Sequence, residues 1–279
     1  MPIIEDDWES RCTRDRGKKA HGVGARMMVL QARDVGKSYG DTWVLQDCGF
    51  ALPEGSVTAL VGLNGAGKST LLRLIAGLDR SSAGGIEIAG REVVFGEPPA
   101  VSYLSQERPL YRALRVREIL GYAAALNEGF DAKLAREWLD AFGIPLARRC
   151  QDLSGGQHTQ VALAVALAKR SPLVVLDEPM ADLDPLARED VSARLREIAA
   201  TTGRSFLLSS HVIGDLEPVC DRLLVLADGR IVLDGPVDGL AERVRANGGT
   251  VPEAATLTEI VLGTLRGSRA GAPPSRPAG

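Results

Sequence analysis

The run Gly62-Leu63-Asn64-Gly65-Ala66-Gly67-Lys68-Ser69-Thr70 holds a glycine, four residues and then Gly-Lys-Ser. Glycines at that spacing let backbone N–H groups close around anionic oxygens, and a helix starting at the end of the run adds its dipole to the attraction. Lys68 has the reach to meet the β- and γ-phosphates of a nucleoside triphosphate, and the Ser69 hydroxyl suits a Mg²⁺ shell. The strand-like "SVTALVG" before the loop and the helical spacing of "KSTLLRLIAGL" after it place the loop between a strand and a helix, where this chemistry requires it.

A second pair of groups sits in "PLVVLDEP". A short continuous apolar run reads as a strand buried on both faces, and it delivers Asp177 and Glu178 together at its end. Asp177 suits an outer-sphere partner of Mg²⁺, and Glu178 suits polarisation of an attacking water. Taken alone, the same pair also fits a strand that ends in a polar turn.

Beside these two motifs stands "LSGGQ", Leu153 to Gln157, and with it the chain resembles the ATP-binding subunits of ABC transporters over about residues 29 to 245. The resemblance implies ATP as substrate and Mg²⁺ held by Ser69, Gln106 and Asp177. It implies Glu178 as the catalytic base, His211 after "FLLSS" as a contact to the γ-phosphate, and Gln106 at the end of "VSYLSQ" as a contact to metal and water that relays to a membrane partner. Tyr39 in "KSYG" matches an aromatic that stacks on adenine. Ser154, Gly155, Gly156 and Gln157 would cap ATP bound to a second copy of the chain, and Asp184 in "MADLDP" would touch that copy. Two copies closing on two ATP molecules, with an integral membrane permease encoded separately, then make a peripheral assembly on the cytoplasmic face of the membrane.

Three features depart from that pattern. His158-Thr159-Gln160 follows the signature where basic residues are usual, and Ala181 takes a position often held by serine or asparagine. The sequence also closes soon after its last strand pair, without the regulatory β-domain of many sugar-importer ATPases.

The elements that must position these groups define an α/β chain: a P-loop NTPase core of the ABC ATPase type, an N-terminal antiparallel β-subdomain and an inserted helical subdomain. Residues 29 to 61 alternate as strands, with "GIEIAG" as a further short one. Within an insertion at about 107 to 160, "VREILGYAAALN" and "DAKLAREWLDAFG" have helical spacing, the second opened by Asp131 as N-cap and closed by Gly143. A helix from Pro185, the strand "SFLLSSH", two strands across Asp228-Gly229 and a helix around "LAERVRAN" complete a domain spanning 27 to 245. A C-terminal helix and tail occupy 246 to 279. Residues 1 to 26 are expected to be disordered or to lie upstream of a start at Met27 or Met28, and "RGSRAGAPPSRPAG" has the composition of an unpacked tail.

A net charge of −3 with three histidines in 279 residues makes no basic field, so nucleic acid is not expected as a partner. Cys12, Cys48, Cys150 and Cys220 are scattered, without the paired spacing of a zinc site. No apolar run reaches the roughly 20 residues that span a bilayer. The stretches "ERPLYRALRVREIL" and "LSSHVIGDLEPVCDRLLVLADGRIVLDGPVD" resemble the drug-export branch. The expectation is therefore efflux of a small molecule or peptide, an antibiotic included. An importer ATPase and a soluble ABC ATPase outside transport are the alternatives.

Overall fold

A computed structural model describes residues 27–246 and 255–271. The expectations for residues 1–26 and for the end of the tail lie outside the described residues.

The chain runs β1 (Met28–Tyr39), β2 (Thr42–Pro53), β3 (Val57–Val61), α1 (Lys68–Ile75), β4 (Ala83–Ile88), β5 (Arg91–Glu92) and β6 (Val101–Leu104). The helical insertion follows with α2 (Val116–Leu126), α3 (Ala132–Ala141) and a short 3-10 turn at Cys150–Asp152. Then come α4 (Gly155–Ala168), β7 (Leu173–Leu176), α5 (Pro185–Thr202), β8 (Ser205–Ser210), α6 (Ile213–Leu216), β9 (Arg222–Ala227), β10 (Arg230–Pro236), α7 (Leu240–Ala246) and α8 (Leu257–Gly271).

Two sheets result. The first is antiparallel, ordered β2-β1-β4-β5, and the second is ordered β10-β9-β3-β8-β7-β6, parallel except for the β9-β10 hairpin. Every residue of β3, β7 and β8 is buried, as expected of parallel strands covered on both faces.

Alternate residues of those strands feed two separate cores. Ala59, Val61, Val174, Leu176, Phe206 and Leu208 pack with the α4, α5 and insertion helices. Leu60, Leu173, Val175 and Leu207 instead face α1 and the antiparallel sheet. The second sheet is thus a partition, and the ends of its strands form an edge where both layers contribute loops.

The helix ends follow the local chemistry. Asp131 accepts from Leu134 N at 3.0 Å and caps α3, and Asp184 with Pro185 behind it opens α5. Helix α4 is apolar nearly all round because it is buried nearly all round. Its C-terminal end is closed by Arg204, which donates to Leu167 O at 2.6 Å, Lys169 O at 2.8 Å and Ser171 O at 3.0 Å. Burial pulls the Arg204 guanidinium down to about 10, still charged at neutral pH.

Helix α8 runs through Arg266–Gly271, which composition alone placed in the tail. It lays Leu257, Ile260, Val261 and Leu265 into the same core as the parallel sheet. No described helix is long and apolar enough to cross a membrane.

Candidate nucleotide site

The Gly62–Thr70 loop joins β3 to α1 as the spacing predicted. Gly67 takes φ 102 and would drive a Cβ to 2.8 Å from the Leu45 side chain, and a Cβ on Gly62 would lie 2.4 Å from Leu226 O. Only glycine fits either place. Gly65 at φ 82 has nothing within 4 Å of such a Cβ, so the middle of the loop is open. Leu63 and Asn64 are exposed, Ala66 is buried, and Ser69 and Thr70 are half-buried in the first turn of α1. That turn carries no acidic residue and no side-chain cap. Its N–H groups therefore face an open loop without an acceptor of their own, the condition for binding an anion.

Lys68 is 7% exposed, and its ammonium donates to Gly62 O at 2.8 Å and Leu63 O at 3.4 Å. Burial pulls it below the ordinary lysine range, while Glu178 and Asp177 act in the opposite sense. The two carboxylates and the ammonium thus share one electrostatic neighbourhood at the ends of β3 and β7.

Asp177 is 1% exposed, its N–H bonded to Leu104 O at 2.9 Å. Its Oδ1 accepts from Ser209 Oγ at 2.6 Å, and the same Oγ accepts from Glu178 N at 2.9 Å. Glu178 stands at φ 51, an unusual region for glutamate, which turns its carboxylate away from the strand direction. Its Oε2 lies 2.9 Å from His211 Nδ1. Ser210 Oγ shapes the turn beyond, accepting from Val212 N at 2.9 Å and donating to Val212 O at 3.0 Å.

Gln106 occupies the exposed turn after β6, and its side chain has no hydrogen bond to the described residues. Tyr39 ends β1, half-exposed, with its hydroxyl donating to Asp79 Oδ2 at 2.6 Å and Lys37 Nζ 4.7 Å from its ring centre. Ser154 accepts from Gln157 N at 3.2 Å, and Gln157 Oε1 accepts from Ser154 N at 3.2 Å. The signature is therefore also a capping box that meets two N–H groups at the start of α4 within its own chain. Gly155 is exposed and Gly156 half-buried beside it. Asp184 lies at the start of α5, where its Oδ1 accepts from Ala187 N at 2.9 Å.

The unusual His158-Thr159-Gln160 has a packing reason. Thr159 is fully buried and donates to Gly155 O at 3.1 Å; Gln160 is 3% exposed, and its Oε1 accepts from Trp138 Nε1 at 2.9 Å. His158 is half-buried. Burial, with Arg108 and Arg112 nearby, holds its imidazole below the usual range against the pull of Asp182.

The sequence reading missed two site residues. Ser209 is the joint between Asp177 and Glu178, and its only signal was a pair of serines at the end of a buried strand. Arg108, 4% exposed, donates from Nη2 to Glu178 O and pairs through Nη1 with Asp182. Nothing in the spacing of its loop announces that role.

A family model described as ABC transporter matches residues 45–181. An aliphatic sulfonates import ATP-binding protein of Rhodopseudomonas palustris is 35% identical over 272 residues, covering 96% of this chain and 90% of that one. The chain belongs to the ABC transporter ATP-binding family. It is an ATPase cassette with the α/β P-loop fold, and ATP is its nucleotide. Another aliphatic sulfonates import ATP-binding protein, from Paraburkholderia xenovorans, is 35% identical over 255 residues, or 89% of the cassette and 69% of that protein. Among solved structures, an ATP binding subunit of an ABC transporter superposes with a TM-score of 0.74 at 31% identity, covering 85% of this chain and 99% of that one. A dimeric bacterial ABC transporter cassette shares the fold, with a TM-score of 0.68 at 23% identity over 75% of this chain and 98% of that one. These sequence relatives carry import names, so the export branch suggested by the "ERPLYRALRVREIL" stretch has no support among them.

Proposed function

We propose that the cassette is the ATP-hydrolysing subunit of an importer, driving a separately encoded integral membrane permease from the cytoplasmic face. The observation that carries import over efflux is the near full-length match to a sulfonate import ATPase, 96% of this chain against 90% of that one.

The residues present fit ATP. In the open loop, phosphate oxygens would take the first-turn N–H groups of α1 and draw the Lys68 ammonium from the carbonyls of Gly62 and Leu63. Tyr39 would stack on adenine with one ring face, since Lys37 lies over the other. Among the described residues no three His, Cys, Asp or Glu side chains converge as a metal cage. The oxygen donors of Ser69, Asp177 and Gln106 fit Mg²⁺, which binds through one or two protein groups plus phosphate oxygens. Ser69, Asp177 and Gln106 would hold it, and its contribution is to neutralise charge on the β- and γ-oxygens.

Glu178, fixed at its N–H by Ser209, takes a proton from the attacking water as the new P–O bond forms and the bond to ADP breaks. His211 orients the Glu178 carboxylate through Nδ1, leaving its other ring nitrogen for the γ-phosphate. One wall of this site is missing in a single chain. The resemblance supplies it from the Ser154–Gln157 turn of a second copy, with Asp184 at the same junction, so nucleotide would close and hydrolysis reopen a two-fold dimer. Tyr111 and Tyr122, in the segment that follows Gln106, are each exposed and would be available to a permease helix.

Direction of transport is the decisive test. The cassette and its permease are reconstituted in vesicles with ATP on the cassette's side of the membrane. An importer moves solute toward that side and is stimulated by a loaded solute-binding protein. Movement away from the ATP side would restore the efflux reading.

A further inference from the structure

Arg108 follows Gln106 by two residues in the loop that leaves β6, and it is almost wholly buried despite its charge. Its guanidinium reaches in two directions. Nη2 donates to the main-chain carbonyl of Glu178, and Nη1 pairs with the Asp182 carboxylate. Nε is buried without an acceptor. Burying a guanidinium with one donor unmet is unfavourable, and it persists where the remaining bonds fix something.

What they fix lies at both ends. Glu178 holds φ 51, and Arg108 itself holds φ 44, so each end of the link sits in a turn that its own residue type does not favour. Asp182 lies over the start of α4: a Cβ on Gly156 would come 3.5 Å from Asp182 O, and one on Gly155 would come 4.0 Å from Asp182 Cβ. One side chain therefore joins the Gln106 loop to both ends of the Glu178–Asp182 turn and, through Asp182, to the signature helix. The two arms differ. The carbonyl contact is buried, whereas the Asp182 side chain is 56% exposed and open to water or another chain.

We propose that Arg108 is a positioning residue that braces the Glu178–Asp182 turn at both ends and couples it to the Gln106 loop, so that a shift of that loop reaches the base and the signature helix through one guanidinium. The proposal rests on the reading of Glu178 as the base. Arginine is required because two diverging acceptors need a planar fork, which an ammonium does not provide.

The test uses the full chain with Arg108→Gln, Arg108→Lys, Asp182→Ala and the Gln/Ala double variant. Turnover is normalised to the stoichiometry of ATP binding in a fluorescence titration, which removes any loss of folded protein. Arg108→Gln is expected to lower kcat roughly 10- to 100-fold with KM for ATP within about twofold, since displacing a catalytic group by about an ångström has that effect. Asp182→Ala should lose less, Arg108→Lys should recover part of the loss, and the double variant should be no worse than Arg108→Gln. Full turnover per bound ATP in Arg108→Gln, or losses that simply multiply in the double variant, would overturn the proposal. If Arg108→Gln does not fold, unchanged turnover in the exposed-site variant Asp182→Ala would overturn the coupling. Glu178→Gln is measured alongside: if that variant keeps turnover, the base assignment has failed and not the role of Arg108.

Discussion

His211 Nδ1 stands 2.9 Å from Glu178 Oε2, which ties the carboxylate at the end of β7 to the residue just past the end of β8. The two strands are neighbours in register, Leu176 opposite Leu208, so the pair is set by the sheet itself. Glu178→Gln should keep ATP binding and lose at least roughly 100-fold in turnover, as expected when a general base is removed. His211→Ala should also bind ATP and turn over slowly. Rapid hydrolysis by Glu178→Gln would transfer the role of base to another group.

Lys68 offers a sharper contrast between binding and chemistry. Its ammonium is buried and held by two loop carbonyls, both of which it can exchange for phosphate oxygens. Lys68→Ala should weaken ATP binding about 10- to 100-fold, the range for losing one charged hydrogen bond. An unchanged dissociation constant in a fluorescence titration would contradict the assignment of the loop.

Ser154→Arg places a large cation where the signature turn would meet a second nucleotide. In a Glu178→Gln background, sizing with ATP should show a monomer that still binds nucleotide. Ser154→Ala is the control, because it removes the cap bond to Gln157 N without filling the space. A dimer that persists with arginine at this position would rule out capping in trans.

Asp131 gives a prediction on stability and its pH dependence. The Leu134 N–H, with Arg170 also nearby, holds its carboxyl below the usual carboxylate range against the opposing effect of burial. A depressed folded value means that the stabilisation is present above the unfolded value of about 3.9 and is lost as pH falls through the folded one. Asp131→Ala should therefore cost ~1 kcal/mol at neutral pH, read by thermal or urea melts. That gap should narrow as the pH is lowered below about 4. A gap that stays constant into strong acid would show that the cap is not ionic.

The parts legible in the sequence are those written in consecutive residues. The phosphate loop, the buried "LVVLDEP" strand, the Asp131 cap and the Asp228-Gly229 hairpin each carry their signal within a few positions, and the structure places them as the spacing implied. Strands β5 and β6, of two and four residues, are too short for any periodicity to declare them. Ser209 and Arg108 acquire their partners from segments 31 to 74 residues away, which only the folded sheet brings together. The resemblance makes Asp184 a contact between chains, and one of its oxygens also serves the start of α5 within its own chain. The missing positive charge after the signature is explained by Thr159 and Gln160 being interior positions, which no local pattern distinguishes from a surface run.

The reciprocal bonds between Ser154 and Gln157 bear on how such a chain waits when it has no nucleotide. A surface designed to meet another molecule usually leaves donors unmet, and unmet donors at an exposed helix start invite promiscuous contacts. Here the Ser154 and Gln157 N–H groups are met within the turn, while those of Gly155 and Gly156 have no hydrogen bond to the described residues. The start of α4 is thus ordered before any nucleotide arrives, and little conformational entropy remains to be lost there on binding.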